Sequence, residues 1–138
     1  MSVSVLVDTG PLIALFNTRD KHHEWAIEVF KALRPPLYTC DAVLAEAMFL
    51  LRSDLRSVHF LTGLLERNIL ISDFAVQEQA GSIRKLMSKY ADTPMGFADA
   101  SLVRMSELRS DCSVWTMDSD FLVYRRNGRA RIPMISPN

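Results

Sequence analysis

Five acids supply the chemistry this sequence can offer, and each stands at a turn or on a helix rather than in a charged surface run. Asp8 follows the apolar run "VSVLV", Glu46 interrupts "DAVLAEAMFLL", Asp99 sits in "FADASLV", and Asp118 and Asp120 close "VWTMDSD". Singly, an Asp after a strand or near a helix start has an ordinary explanation as a turn or capping residue. Glu46 resists that explanation, because Ala42, Val43, Ala45, Ala47 and Leu50 occupy neighbouring helical positions. Burying an unpaired carboxylate there is costly or forces it to take up a proton. No Lys or Arg lies within a helical turn on the same face, so the expected partner is a metal ion. Carboxylates gathered in one cleft repel one another unless cations neutralise them. Oxygen ligands without a Cys or His set select a hard ion, Mg²⁺ or Mn²⁺ rather than Zn²⁺. Such an ion polarises a phosphate oxygen and supplies hydroxide near neutral pH, and a second ion about 3.5 to 4 Å away stabilises the leaving oxygen. The chemistry that follows is hydrolysis of a phosphodiester or a related phosphoryl bond.

The elements must then bring these acids to one place. "VSVLV" predicts a strand that delivers Asp8 at its carboxyl end, and "PLIALFN" a helix beginning at Pro11. "HHEWAIEVFKALR" predicts a helix stopped by Pro35 and Pro36, "LYT" a second strand, and Asp41 the N-cap of the helix carrying Glu46. "RSVHFLTGLLERN" continues as a helix closed near Asn68, "ILIS" as a third strand, and "DFAVQEQAGSIRKLMSKY" as a helix across Gly81. "FADASLVRMSELR" predicts a helix with Asp99 in or near its first turn. "SVWTM" follows as a strand, "DSDFLVYRR" as a turn into a short helix, and "RIPMI" as a last short strand. Alternating strands and helices predict an α/β fold with a mostly parallel central sheet covered on both faces. With 138 residues and no internal repeat or linker, residues 1–138 read as a single domain. In such sheets the ligand site lies outside the carboxyl ends of the strands, where Asp8 and Asp118 fall.

Taken in order, "VLVDTGPLIAL", "DAVLAEAMFLL", "FADASLV" and "WTMDSDF" resemble the acidic motifs of PIN-domain proteins, especially the VapC-like toxin ribonucleases of bacterial toxin-antitoxin pairs. The resemblance runs from the first strand to the last. It implies a three-layer α/β/α sandwich, a Mg²⁺ or Mn²⁺ centre and endonucleolytic cleavage of RNA. Carried over, Asp8, Glu46, Asp99 and Asp118 are the catalytic, metal-site acids and Asp120 an additional metal ligand. Thr9 and Thr116 are expected to orient carboxylates or water through their hydroxyls. One departure stands out: relatives often carry another acid three residues before the third motif acid, where this chain has Gly96. That difference bears on a second metal ion and on full activity.

Formal net charge is zero, with 16 basic and 16 acidic side chains, so a nucleic-acid partner must be argued locally. "RRNGRAR" offers Arg125, Arg126, Arg129 and Arg131 as an arm to contact RNA phosphates, or as a solvated charged turn. Arg19 and Lys21 could frame the opposite rim. His22 and His23 lack a spaced third ligand and read as surface or helix-start residues. Trp25, Trp115, Met48 and Met87 are expected in the packing, with Cys40 and Cys112 as small apolar core residues. The face around "FLTGLLERN" is a candidate for a homodimer contact or for an antitoxin helix laid in a groove. The opening "MSVSVLVDTG" reads as neither a signal peptide nor a membrane span, which predicts a cytoplasmic protein that does not engage the membrane. Two other readings compete. One is a PIN-fold nucleic-acid-binding or regulatory protein with little or no cleavage. The other, a phosphate-transfer enzyme or receiver domain, is disfavoured by Gly10 and by the absence of a Lys from "IPMISPN".

Overall fold

A computed structural model of the chain describes residues 3–137, so Met1, Ser2 and Asn138, at the ends of the 1–138 span, lie outside the described residues. The first strand, β1 (Ser4–Val7), buries Val5, Leu6 and Val7 in succession. An unbroken apolar run of this kind belongs to a strand covered on both faces, where alternation would leave a polar residue stranded in the core. β1 pairs in parallel with β2 (Leu37–Thr39) on one side and with β4 (Cys112–Trp115) on the other. β3 (Leu70–Ser72) and β7 (Met134–Ile135) extend the sheet to the order β3-β2-β1-β4-β7, parallel throughout.

Among the described residues, six α-helices cover this sheet. They are α1 (Thr9–Phe16), α2 (His23–Ala32), α3 (Asp41–Leu51), α4 (Leu55–Glu66), α5 (Val76–Lys89) and α6 (Phe97–Leu108). From β1 the chain steps outward to β2 and β3, then returns to lay β4 on the other flank of β1. Right-handed crossovers in opposite directions place the intervening helices on opposite faces. Accordingly α1 packs with α2, α3 and α4, while α5 packs with α6, giving the α/β/α sandwich expected from the sequence. Leu6, Val7, Val114 and Trp115 are fully sealed between the layers. Each such large apolar side chain contributes about 1.5–3 kcal/mol of burial energy. Cys40 and Cys112 are buried free thiols, and Trp115 packs edge-on against Trp25.

Several boundaries depart from expectation for local reasons. α1 begins at Thr9 rather than Pro11, because Asp8 acts as its N-cap through the Thr9 N–H. α3 is capped at Cys40, so Asp41 is its first helical residue and instead accepts a hydrogen bond from the Ser72 hydroxyl (2.6 Å). Gly81 does not interrupt α5, and Met87 lies exposed on that helix rather than in the packing. Asn68, as expected at the end of α4, takes a positive φ of 57°. "RRNGRAR" forms an antiparallel hairpin, β5 (Arg125–Arg126) with β6 (Ala130–Arg131), turning through Asn127 and Gly128 at positive φ. Asn-Gly is the strongest short-range signal for such a turn. Among the described residues, no helix is long and apolar enough to cross a membrane.

Candidate active site

The chain reverses its direction across the sheet between β1 and β4, and the crevice at such a switch point is where open α/β sheets hold ligands. Asp8 follows β1 there, with its backbone N–H donating to the Trp115 carbonyl (3.0 Å). Its Oδ1 accepts the Thr9 N–H (2.8 Å) and its Oδ2 the Thr116 hydroxyl (2.7 Å). Thr116 Oγ1 in turn accepts the Asp118 N–H (2.9 Å), and Asp118 Oδ1 the Asp120 N–H (2.9 Å). The loop after β4 is thus tied to the turn after β1 by a continuous chain of hydrogen bonds. Thr9 behaves differently from expectation. Its backbone N–H reaches Asp8, while its hydroxyl is buried and makes no hydrogen bond.

Only 7% of Asp8 is exposed. Burial pushes its carboxyl up to about 6, against the pull of the Thr116 and Thr9 hydrogen bonds, and the nearby Asp99 and Asp118 carboxylates add to the rise. Asp99 occupies the third position of α6. Its Oδ2 accepts the Gly96 N–H (3.2 Å) and the Tyr124 hydroxyl (3.2 Å). Burial raises its pKa as well, reinforced by Asp118 and Asp120. Asp120 is also shifted upward, by desolvation first and then by Asp118.

Glu46 corrects the sequence-based argument. It is exposed, because α3 buries the stripe Val43, Ala47 and Leu51 and leaves Ala45, Glu46, Phe49 and Leu50 outward. A helix that is apolar on more than one side does not reveal from periodicity which side is covered. The acid that does sit in the apolar interior is Asp8. Glu46 nonetheless shares a cleft of about 370 Å³ with Asp8, Thr9, Asp99 and Asp118, lined also by Asp20 and Met117. A groove of about 630 Å³ shares Glu46, Asp99 and Asp118 with it and continues between Asp41, Ala42 and Ala45 of α3 and the segment from Pro94 to Ala98. Asp120 lines neither, although its charge is felt at Asp99.

Asp20, Asp41 and Tyr124 were not legible as members of this region. Asp20 is hidden among basic neighbours in "NTRDKHHEW", and Asp41 looked like a cap. Tyr124 precedes an arginine cluster, and only the fold turns its phenol toward Asp99.

The arginine cluster divides in two. Arg126 is buried and donates through Nη2 to the carbonyls of Ser106 and Arg109 (2.6 Å to the latter), closing the carboxyl end of α6. It is a structural residue, which overturns its assignment to RNA. Arg125 donates through Nη1 to the carbonyls of Leu122 (2.7 Å), Val123 (3.1 Å) and Tyr124 (3.1 Å). Arg129 and Arg131 are exposed, and none of the four lines the acidic cleft or its groove. Arg19 belongs to a different groove, beside Phe16 and Phe60. His23 Nδ1 lies 2.7 Å from the Ala14 carbonyl at the end of α1, a helix-tying contact.

Among the described residues, no three Asp, Glu, His or Cys side chains converge as a ready-made metal site. Mg²⁺ does not require one, since it retains several waters and is typically held by one or two carboxylates with phosphate oxygens. Two observations match a hard cation in the cleft. The carboxylates destabilise one another's charged forms, and Thr9 presents a buried, unpartnered hydroxyl oxygen among the lining residues.

The sequence matches the PIN domain over residues 5–127. The chain belongs to the PIN-domain family. The five candidate acids of this PIN domain, Asp8, Glu46, Asp99, Asp118 and Asp120, fall inside the matched stretch. Its fold is similar to that of Mycobacterium tuberculosis VapC20, a toxin described as cleaving the sarcin-ricin loop. The TM-score is 0.74, with 18% identity over 85% of this chain and 92% of that one. It is also similar to the DNA-bound VapBC from Salmonella typhimurium, with a TM-score of 0.62 and 16% identity over 98% of each chain. At these identities the likeness is one of fold. No curated protein matches this PIN domain in sequence.

Proposed function

We propose that the protein is a Mg²⁺- or Mn²⁺-dependent endoribonuclease, the toxin of a toxin-antitoxin pair acting in the cytoplasm. The observation that carries this reading is the cleft at the β1–β4 switch point, on which Asp8, Glu46, Asp99 and Asp118 meet from four separate segments. A cation in this cleft would be held by one or two of these four carboxylates directly and by the others through its waters, with Asp120 as an added negative charge. When bound, such an ion supplies Lewis acidity and a nucleophilic water at neutral pH.

The chain's own residues set the geometry. Thr116 and the Thr9 N–H fix both oxygens of Asp8, so this carboxylate does not swing. Tyr124 and the Gly96 N–H hold one oxygen of Asp99 and leave the other free. The lining of the cleft and groove carries no Lys or Arg, so without a cation the site repels a phosphate. Exposed Arg129 and Arg131 are the remaining candidates of the hairpin to contact the RNA backbone.

The partner reading rests on a second surface. Phe49 (61% exposed), Leu50, Leu55 and Phe60 present apolar area beside the site, and Phe16 stacks on Phe60 with ring centroids 6.2 Å apart. An antitoxin segment or a second copy of the chain would cover it. The relative from Salmonella is itself a VapBC assembly.

A binding or regulatory role with little cleavage is favoured by one observation, the lack of a ready three-ligand site among the described residues. Glu46→Gln decides between the readings. Glu46 is exposed, so the variant should melt within about 0.5 kcal/mol of the parent. Loss of a group that supports a metal centre costs about 10–100-fold in metal affinity or activity, and loss of a carboxylate in the cleft should cost at least that. Metal-dependent RNA cleavage by the parent that collapses in the variant supports the nuclease. Equal cleavage by both removes Glu46 from the mechanism, and no cleavage by either supports the binding role.

A further inference from the structure

A phosphodiester held at the acids joins two nucleosides, and at least one of them must lie along the surfaces that adjoin the cleft. The groove between α3 and α6 offers the one aromatic face among the residues lining either pocket. Phe97, the first residue of α6, is 44% exposed and stands two residues before Asp99. Ala42 and Ala45 line the groove from α3, and Pro94 and Ala98 from the α6 side. All are small or apolar, so a flat uncharged ring can enter without displacing a bulky side chain. The polar side chains of the lining are the carboxylates of Asp41, Glu46, Asp99 and Asp118. Such a wall repels a phosphate and tolerates a neutral base.

We infer that this groove is a nucleobase site in which Phe97 stacks on an unpaired base next to the scissile phosphate. The inference rests on the ribonuclease reading for its substrate class and adds a specificity element to it. A base inside a duplex is already stacked and cannot be laid on a protein ring, whereas bases in loops and single strands can be splayed onto aromatic side chains. Phe97 therefore selects unpaired RNA. Loss of one base–aromatic stack weakens binding by roughly 5- to 100-fold.

The test measures binding of a fluorescently labelled unpaired RNA hexamer, and of the same sequence as a blunt duplex, by anisotropy with Mn²⁺. A Glu46→Gln background, shown by calorimetry to retain Mn²⁺, keeps the RNA intact. Phe97→Ala is expected to weaken hexamer binding by roughly 5- to 100-fold while leaving duplex binding unchanged. Phe97→Trp should restore it. Phe97→Leu, which keeps apolar bulk without a ring, should not. Thermal melting confirms that each variant is folded. Failure of the parent to bind the hexamer, unchanged hexamer binding by Phe97→Ala, equal loss for hexamer and duplex, or rescue by leucine each overturns the base site. Cleavage of the same hexamer by the protein with Glu46 intact reports on the nuclease reading separately. Cutting that ignores Phe97 leaves the nuclease and removes the base site, and Phe97-dependent binding without cutting does the reverse.

Discussion

Asp8→Asn should make the metal-free protein more stable at pH 8, although it destroys the proposed reaction centre. The Asp8 carboxyl is nearly fully buried and titrates at about 6, raised from 3.8 chiefly by desolvation. Between pH 4 and 6 the folded chain holds a proton that the unfolded chain has released. Stability therefore falls as pH rises through that window and the full penalty remains above it. A difference of about two pKa units corresponds to about 3 kcal/mol. The Asn amide keeps the bond from the Thr9 N–H through its oxygen. Its NH₂ faces Thr116 Oγ1, which still accepts the Asp118 N–H, but the Thr116 hydroxyl hydrogen loses its acceptor. That loss costs about 1 kcal/mol. The net gain is about 2 kcal/mol, or roughly 4–8 °C in melting temperature. Urea or thermal unfolding in EDTA at pH 8 and pH 4 measures it. The gain should vanish at pH 4, where folded Asp8 is protonated and the unfolded carboxyl about half so, and leave the variant about 0.5 kcal/mol less stable. Mn²⁺ at about 100 times its dissociation constant should stabilise the parent by about 2.7 kcal/mol and the variant far less. A variant less stable than the parent at pH 8, or an effect independent of pH, would refute the burial argument.

Three further outcomes follow from other parts of the structure. Arg126→Ala abandons the carbonyls at the end of α6 and should cost about 2 kcal/mol or more in unfolding experiments, whereas Arg131→Ala should stay within about 0.5 kcal/mol. In RNA binding, Arg131→Ala should lower the salt slope by about 1, and an unchanged slope would remove the hairpin from the RNA surface. Gly96 has an extended backbone (φ −86°, ψ 178°) and open space where a Cβ would stand. Gly96→Asp should therefore fold with stability altered by a few tenths of a kcal/mol and, with a fresh carboxylate beside Asp99, bind Mn²⁺ more tightly in a calorimetric titration. Unchanged or weaker binding would show that position 96 does not face the ion.

The strand–helix alternation was legible because β1 and β4 are short apolar runs ended by turns, and their carboxyl ends located Asp8 and Asp118 from sequence alone. Asp99 was equally accessible, since an acid three residues into "GFADASLV" reads as a first-turn residue. The burial of these acids was not legible. Glu46 looked buried because its neighbours are apolar, yet Phe49 and Leu50 face outward with it. Asp8 looked like a turn residue, yet it is sealed by contacts from Thr116, 108 positions away in sequence. Arg126 and Arg129 are alike in a charge cluster, and only the position of α6 makes one a buried cap and the other exposed. Local pattern set the elements and their order, and long-range packing decided which charged groups lose water.

The most direct test of the nuclease is cleavage of a mixed panel of structured and single-stranded RNAs by purified protein with Mg²⁺, Mn²⁺ or EDTA, alongside Asp8→Asn. The account predicts cutting with either metal, none in EDTA, and none by a variant shown to be folded and at least as stable as the parent at pH 8. Cleavage that survives EDTA or Asp8→Asn would contradict the acidic centre, and an intact panel with metal bound at the acids would turn the reading to an RNA-binding protein without nuclease activity.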